Sequence, residues 1–284
     1  MAIDDLSSDR PEPAPASDQP DPQQPSSAVL LDPAIFADGD LELTGRLVQA
    51  SNATFFCELT SAAGVLSCVY KPVRGERPLW DFPDGTLAER EVAAYRISAA
   101  AGFDVVPATV LIDGPMGPGS LQAWIDVDDD ADPVVDLVRS GRTPPGWFDV
   151  VEGLDAHERP VTVIHRDDPQ LRRMALFDAL INNADRKGAH ILVAQDGRIW
   201  AVDHGVSLHE EDKLRTVLWG WAGEELTAEE VALVTAALAA SSELDEFVTV
   251  VEQAAFEARC SQLLLDGMFP LPAGTWPAIP WPPL

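Results

Sequence analysis

Hydrophobic and polar positions alternate along three short segments early in the chain: 41–48 (LELTGRLV), 53–59 (ATFFCEL) and 65–71 (VLSCVYK). A period near two, broken by small polar residues, predicts strands. Pro78 and Pro83 make 73–85 (VRGERPLWDFPDG) a loop. A helix is expected from the N-cap Thr86 to about Ala101, with Leu87, Val92, Tyr95 and Ala99 on one face and Gly102 as its stop. Strands resume at 105–112 (VVPATVLI) and 120–126 (SLQAWID); the acidic run Asp126–Asp132 reads as a loop or junction, and 133–140 and 145–155 as short helices. From Asp168 the pattern turns helical. Asp168 is placed as N-cap and Pro169 at the first helical position, and Leu171, Met174, Ala175, Phe177, Asp178, Leu180 and Ile181 make a broad buried face. Strands at 190–194 and 198–202 flank Gln195-Asp196-Gly197, a hairpin signal. Helices are expected at 227–240 and 243–266, and the closing FPLPAGTWPAIPWPPL is expected to be pinned to the body by Trp276 and Trp281.

A strand-rich first half and a helix-rich second half predict an α+β, two-lobe architecture with a ligand cleft between the lobes. The expected division is a disordered, acidic, Pro-rich tail over 1–28, a strand-rich lobe over 29–126, a helical lobe over 127–269 and a Pro/Trp-rich tail over 270–284.

Composition narrows the function classes. The formal net charge is −28, which repels phosphate backbones and anionic membranes, so nucleic-acid binding is not expected. Three cysteines, Cys57, Cys68 and Cys260, form no C-x-x-C pair and suggest neither a disulfide framework nor a zinc site. No apolar run reaches the ~20 residues of a transmembrane helix, and the acidic N-terminus does not read as a secretory signal, so a cytoplasmic protein is expected. Arginines outnumber lysines sixteen to three, which marks Lys71, Lys187 and Lys213 as places where arginine would not serve.

Four features can serve one chemistry. Lys71 ends an apolar strand and needs a partner or an anion. Glu91 in AEREVAAYRI is one candidate partner and Glu89 the other. Asp185 follows the second helix, and Asp203 follows the hairpin. Phosphoryl transfer asks for such parts: a cation on the phosphates, a carboxylate orienting it, one carboxylate on magnesium and another accepting the proton of the attacking hydroxyl. His190, His204 and His209 with Asp203 form an alternative metal-hydrolase cluster, although no H-x-H or H-x-x-x-H spacing supports it. His157 and His165 lie in a polar segment and are expected to be exposed. Arg172 and Arg173 read as a solvated helix face, and Arg186 and Lys187 as contacts for phosphate or an acidic substrate.

These pieces, in this order, resemble the protein-kinase-like superfamily, most closely its phosphatidylinositol 3-/4-kinase-like branch near the type II phosphatidylinositol 4-kinases, a plan shared with HipA-like bacterial kinases. VYKP resembles the strand with the ATP-binding lysine, EREVAAYRIS the helix with its ion-pair glutamate, and VVPATVL with GSLQAWID the strands leading to the hinge. FDALINNADRKGAHILV resembles the catalytic loop, and IWAVDHGVSLH the metal-binding I-D-x-G stretch. The resemblance implies a two-lobe protein-kinase-like fold, ATP and Mg²⁺ (or Mn²⁺) as cofactors, Asp185 as catalytic base, and Lys71 with Glu91 as phosphate clamp. It further implies a hinge at Gln122, Ala123, Trp124 and Ile125 against the adenine, and Asp203 with His190 as metal ligands. His190 stands where the family carries asparagine, and QASNAT (49–54) replaces its glycine-rich loop, leaving Ser51 and Thr54 to meet the phosphates. The expected activity is phosphoryl transfer from ATP to a hydroxyl of a protein or soluble small molecule. The alternatives are a weak or inactive pseudokinase that binds nucleotide or a partner and, third, a nucleotidyl transferase that leaves AMP on its target.

Overall fold

The computed structural model describes residues 29–47, 52–62, 64–77, 79, 81–82, 86–272, 274 and 277–284. The predicted 1–28 tail and Trp276 lie outside them.

The first half builds one antiparallel sheet from β1 (Asp40–Arg46), β2 (Phe55–Ser61), β3 (Gly64–Pro72), β4 (Thr109–Gly114) and β5 (Gly117–Ala123), in the order β1-β2-β3-β5-β4. Cys57 pairs with Cys68 across β2 and β3, and Leu59, Tyr70 and Leu121 complete the buried face. Both cysteines are buried and free, as small core residues. Helix α1 (Leu87–Ala101) connects β3 to β4 and packs on β4 and β5. Thr86 holds the N-cap position without a side-chain bond. The Glu76 carboxylate accepts from the N–H groups of Leu87 (3.2 Å) and Ala88 (2.8 Å) instead, and Gly102 ends the helix at φ 77°.

The segments read as short helices at 133–140 and 145–155 are strands. β6 (Val135–Arg139), β7 (Trp147–Leu154) and β8 (Pro160–Arg166) form a second antiparallel sheet, ordered β6-β8-β7. Their β-branched and aromatic residues suit a pleated surface, and Gly146, at φ 79°, turns the chain inside the segment read as the second helix.

Helix α2 (Pro169–Ile181) starts at its predicted cap, Asp168 accepting from the Gln170 N–H at 2.7 Å, and stops at Asn182 in the left-handed region, φ 53°. A hairpin, β9 (Ile191–Val193) and β10 (Ile199–Ala201), turns at Gly197, φ 78°. Helices α3 (Ala228–Ala239) and α4 (Val250–Asp266) each open on a capping box, Thr227 with Glu230 and Thr249 with Glu252. The helix expected from 243 therefore begins at Val250, after a short 3₁₀ turn at Ser241–Leu244.

Each capping-box glutamate also receives an arginine from another helix. Arg172 of α2 donates to Glu230 and Glu224, so it is bonded inward and does not belong to a solvated face. Arg90 of α1 donates to Glu252 and to the Ser207 carbonyl, which ties α1 to the helical half. The main core, with Phe103, Met174, Phe177, Leu180, Trp221, Phe256 and Cys260, lies among these helices. At the end of the chain Trp281 is 85% exposed. Backbone bonds hold this segment instead: the Ala278 carbonyl accepts from Thr216 N and Trp219 Nε1, and the Pro283 carbonyl from Gly188 N. No helix among the described residues is long and apolar enough to cross a membrane.

Candidate functional site

β3, α1 and the turns around the β9–β10 hairpin meet at a small cleft, about 70 Å³, whose lining includes Thr54, Lys71, Glu76, Glu91, Asp185 and Asp203. Lys71 at the end of β3 donates to Glu91 Oε1 at 2.6 Å and to Asp203 Oδ1 at 2.5 Å. The other oxygen of Glu91 accepts from the His204 backbone N–H at 3.0 Å. One carboxylate thus holds both the lysine and the chain beside Asp203. Glu89 cannot share this place, because two residues turn a helix by about 200°.

Burial works against the charge on Lys71, but Asp203 and Glu91 outweigh it and raise its pKa above the ordinary value. The Lys71 ammonium holds the Asp203 carboxyl well below the usual carboxylate range, and His190 adds to that effect. Asp203 has φ 63°, a conformation uncommon for a residue with a side chain and frequent where function requires it. His190 Nε2 lies 3.3 Å from Asp203 Oδ2; burial lowers its pKa, and its Nδ1 has no partner among the described residues. Asp185 sits in a turn closed by Asn183 Oδ1 accepting from its N–H at 3.0 Å, and Lys187 Nζ holds its Oδ2 at 2.9 Å.

Arg186 does not face the cleft. It and Asp178 are both 0% exposed, paired through two bonds of 2.9 Å. Its remaining donors go to the carbonyls of His190 (3.2 Å) and Val202 (2.8 Å) and to His204 Nε2 (2.8 Å). All five N–H groups are used, and two of them fix the backbone on either side of the hairpin that separates Asp185 from Asp203. An arginine can only donate, so His204 accepts at Nε2 and is neutral; burial and then Arg186 push its pKa far down.

The remaining expectations divide. Thr54 lines the cleft in a turn joined to a second one by Ala53 N donating to Gly75 O, and Ser51 lies outside the described residues. Gln122, Ala123, Trp124 and Ile125 do not line the cleft. Gln122 bonds Thr109, the N–H groups of Ala123 and Trp124 donate to Ala108 and Ser67, and Ile125 packs with Trp200. The histidine cluster does not form: His204 is buried on Arg186, His209 accepts from Glu211 N and meets the Phe82 ring, and no group of three metal-ligating side chains occurs among the described residues. His157 is exposed, but His165 is fully buried, its Nε2 accepting from Gly220 N at 2.9 Å and its ring packed on Trp221. Sequence reasoning missed Glu76, which joins the cleft while capping α1. An acid eleven residues before a helix carries no local signal for that role.

Over 263 residues the chain is 48% identical to Protein Rv2133c of Mycobacterium tuberculosis, an alignment covering 88% of this chain and 94% of that protein. The chain belongs to the family of Protein Rv2133c. No protein-family model matches the sequence.

Proposed function

We propose that the protein is an ATP-dependent phosphotransferase of the phosphatidylinositol 3-/4-kinase-like type, with a two-lobe kinase-like arrangement and a hydroxyl of a protein or soluble small molecule as acceptor. One observation carries this reading: Lys71 bridges Glu91 and Asp203 in a cleft that also holds Asp185. These are the parts phosphoryl transfer requires, drawn from three separate elements.

The donor set fits a divalent cation. Glu76, Glu91, Asp185 and Asp203 line the cleft against the single cation Lys71, an excess of negative charge that opposes a bare triphosphate. Asp203 with His190 would hold the ion, and phosphate oxygens would complete its shell; the imidazole suits manganese better than magnesium. When bound, the ion neutralises charge on the transferred phosphoryl group. Lys71, kept in place by Glu91, turns from Asp203 to the phosphates. Lys187 orients Asp185 through Oδ2, and the other oxygen takes the proton from the acceptor hydroxyl. The γ-phosphoryl group passes to that hydroxyl and ADP leaves.

A second reading has its own support. His190 occupies a metal position, and a cleft of about 70 Å³ is smaller than the usual ligand site, so the chain could hold a nucleotide weakly and serve as a regulatory pseudokinase. Thermal unfolding with and without Mg·ATP separates the readings from failure. Nucleotide at ~100 times its dissociation constant adds about 2.7 kcal/mol of stability to the wild type, and Asp203→Ala loses that gain. Turnover in the wild type supports the transferase; binding without turnover, gained on His190→Asn, supports the pseudokinase. No shift at millimolar Mg·ATP or Mn·ATP refutes the transferase and the nucleotide-binding pseudokinase, and favours a pseudokinase that binds only a partner.

A further inference from the structure

A second, larger cavity of about 750 Å³ shares no lining residue with the cleft. One wall is a single stripe of α4: Ala255, Ala258, Arg259, Gln262, Leu263 and Asp266. These positions recur at helical spacing over about 16 Å of helix axis. Opposite them stand Leu214, Trp219, Met268, Phe269 and Leu271. Two of these are unusually open for apolar side chains in one place, Leu271 at 70% and Met268 at 41%.

The margin of this groove has one sign of available charge. Glu210, Asp212 and Asp266 line it and are exposed. The one cation, Arg259, is turned inward: Nε donates to the Leu180 carbonyl, Nη1 to the His209 carbonyl, and Nη2 is buried. Asp212 comes no closer to it than 3.9 Å and stays largely exposed.

We infer that this groove docks an amphipathic helix of a partner protein, apolar along one face and carrying lysines or arginines at its margins. The length of the α4 stripe matches about three helical turns, and the acidic margin supplies the charge complement. Other occupants fit less well. The chain's own residues 1–28 carry six acids against one arginine, and a second copy brings a net charge of −28 to an acidic rim. The inference is independent of the phosphotransferase reading.

The test uses the full chain and two fluorescein-labelled model helices of about 14 residues, with leucines at i, i+3, i+4 and i+7 and either lysine or glutamate elsewhere. By fluorescence anisotropy, the Leu/Lys helix binds at least about tenfold more tightly than the Leu/Glu helix. Ala258→Trp, at an exposed position, fills the groove and weakens binding about tenfold with the unfolding midpoint unchanged. Asp212→Lys with Asp266→Lys does the same through charge. Wild-type affinity in Ala258→Trp would overturn the inference, since the peptide would then be held by the acidic surface at large. Failure of both helices to bind overturns it as well. So does a dimer in sedimentation that Ala258→Trp dissolves, or a tenfold gain on removing residues 1–28, because each names another occupant.

Discussion

Replacing Arg186 by methionine keeps most of the side chain's length and apolar stem and deletes its charge and five N–H donors. Asp178 is then left in a fully buried site with the Asn183 amide, at 2.9 Å, as its remaining side-chain partner. Removing one member of a buried ion pair costs roughly 3–5 kcal/mol. The carbonyls of His190 and Val202 lose their guanidinium donor as well; the His190 carbonyl keeps the Val202 N–H at 3.0 Å, while the Val202 carbonyl is left without the guanidinium, at a cost of roughly 1–3 kcal/mol before relaxation. A loss of about 4–6 kcal/mol is expected, which in a chain of this size lowers the unfolding midpoint by roughly 8–24 °C. Urea titration followed by tryptophan fluorescence measures it, with the denaturant slope checked for change. Arg186→Lys restores the charge without the fork and recovers part of the loss, and Asp178→Leu with Arg186→Met recovers more, because no buried charge is stranded. A loss below about 1 kcal/mol for Arg186→Met would refute the reasoning, since the guanidinium could not then be the buried tie between the two sides of the hairpin.

Burial holds the His165 imidazole below its ordinary value of 6.5, so below about pH 6.5 the unfolded chain binds a proton that the folded chain does not. Its contribution is full above that pH and falls as the pH drops, by up to about 1.4 kcal/mol per pH unit; His165→Gln flattens the acid limb of urea-measured stability by that amount, and an unchanged slope counts against it. A Cβ on Gly75 would meet the Ala53 Cβ at 2.3 Å, so Gly75→Ala costs roughly 1–3 kcal/mol and shifts the 52–54 turn at the cleft. Ala53→Gly in the same chain restores stability, and a Gly75→Ala protein with wild-type melting would show that the two turns are not in contact.

Much of this protein is determined by local signals. Asp168-Pro169 starts α2, Gly102 stops α1, Asp196-Gly197 turns the β9–β10 hairpin, and the alternation along β2 and β3 marks the sheet, because caps, turns and periodicity act over a few residues. Lys71, Asp185 and Asp203 were legible as a set for a related reason: carboxylates and a lone lysine beside apolar strands are costly unless they meet something. Tertiary structure decided the rest. It chose Glu91 over Glu89 through the angle of α1, and it made strands of 135–139 and 147–154, where β8 supplied a partner to both. Gln122, Ala123 and Trp124 give donors to Thr109, Ala108 and Ser67, and none of Gln122–Ile125 lines the cleft. Arg186 read in the sequence as a contact for phosphate or an acidic substrate and His165 as exposed, and both are buried in the structure. A polar side chain can be buried only when all its partners are in place. For Arg186 those lie at positions 178, 190, 202 and 204, and for His165 at 166 and 220, so only the folded chain brings them together.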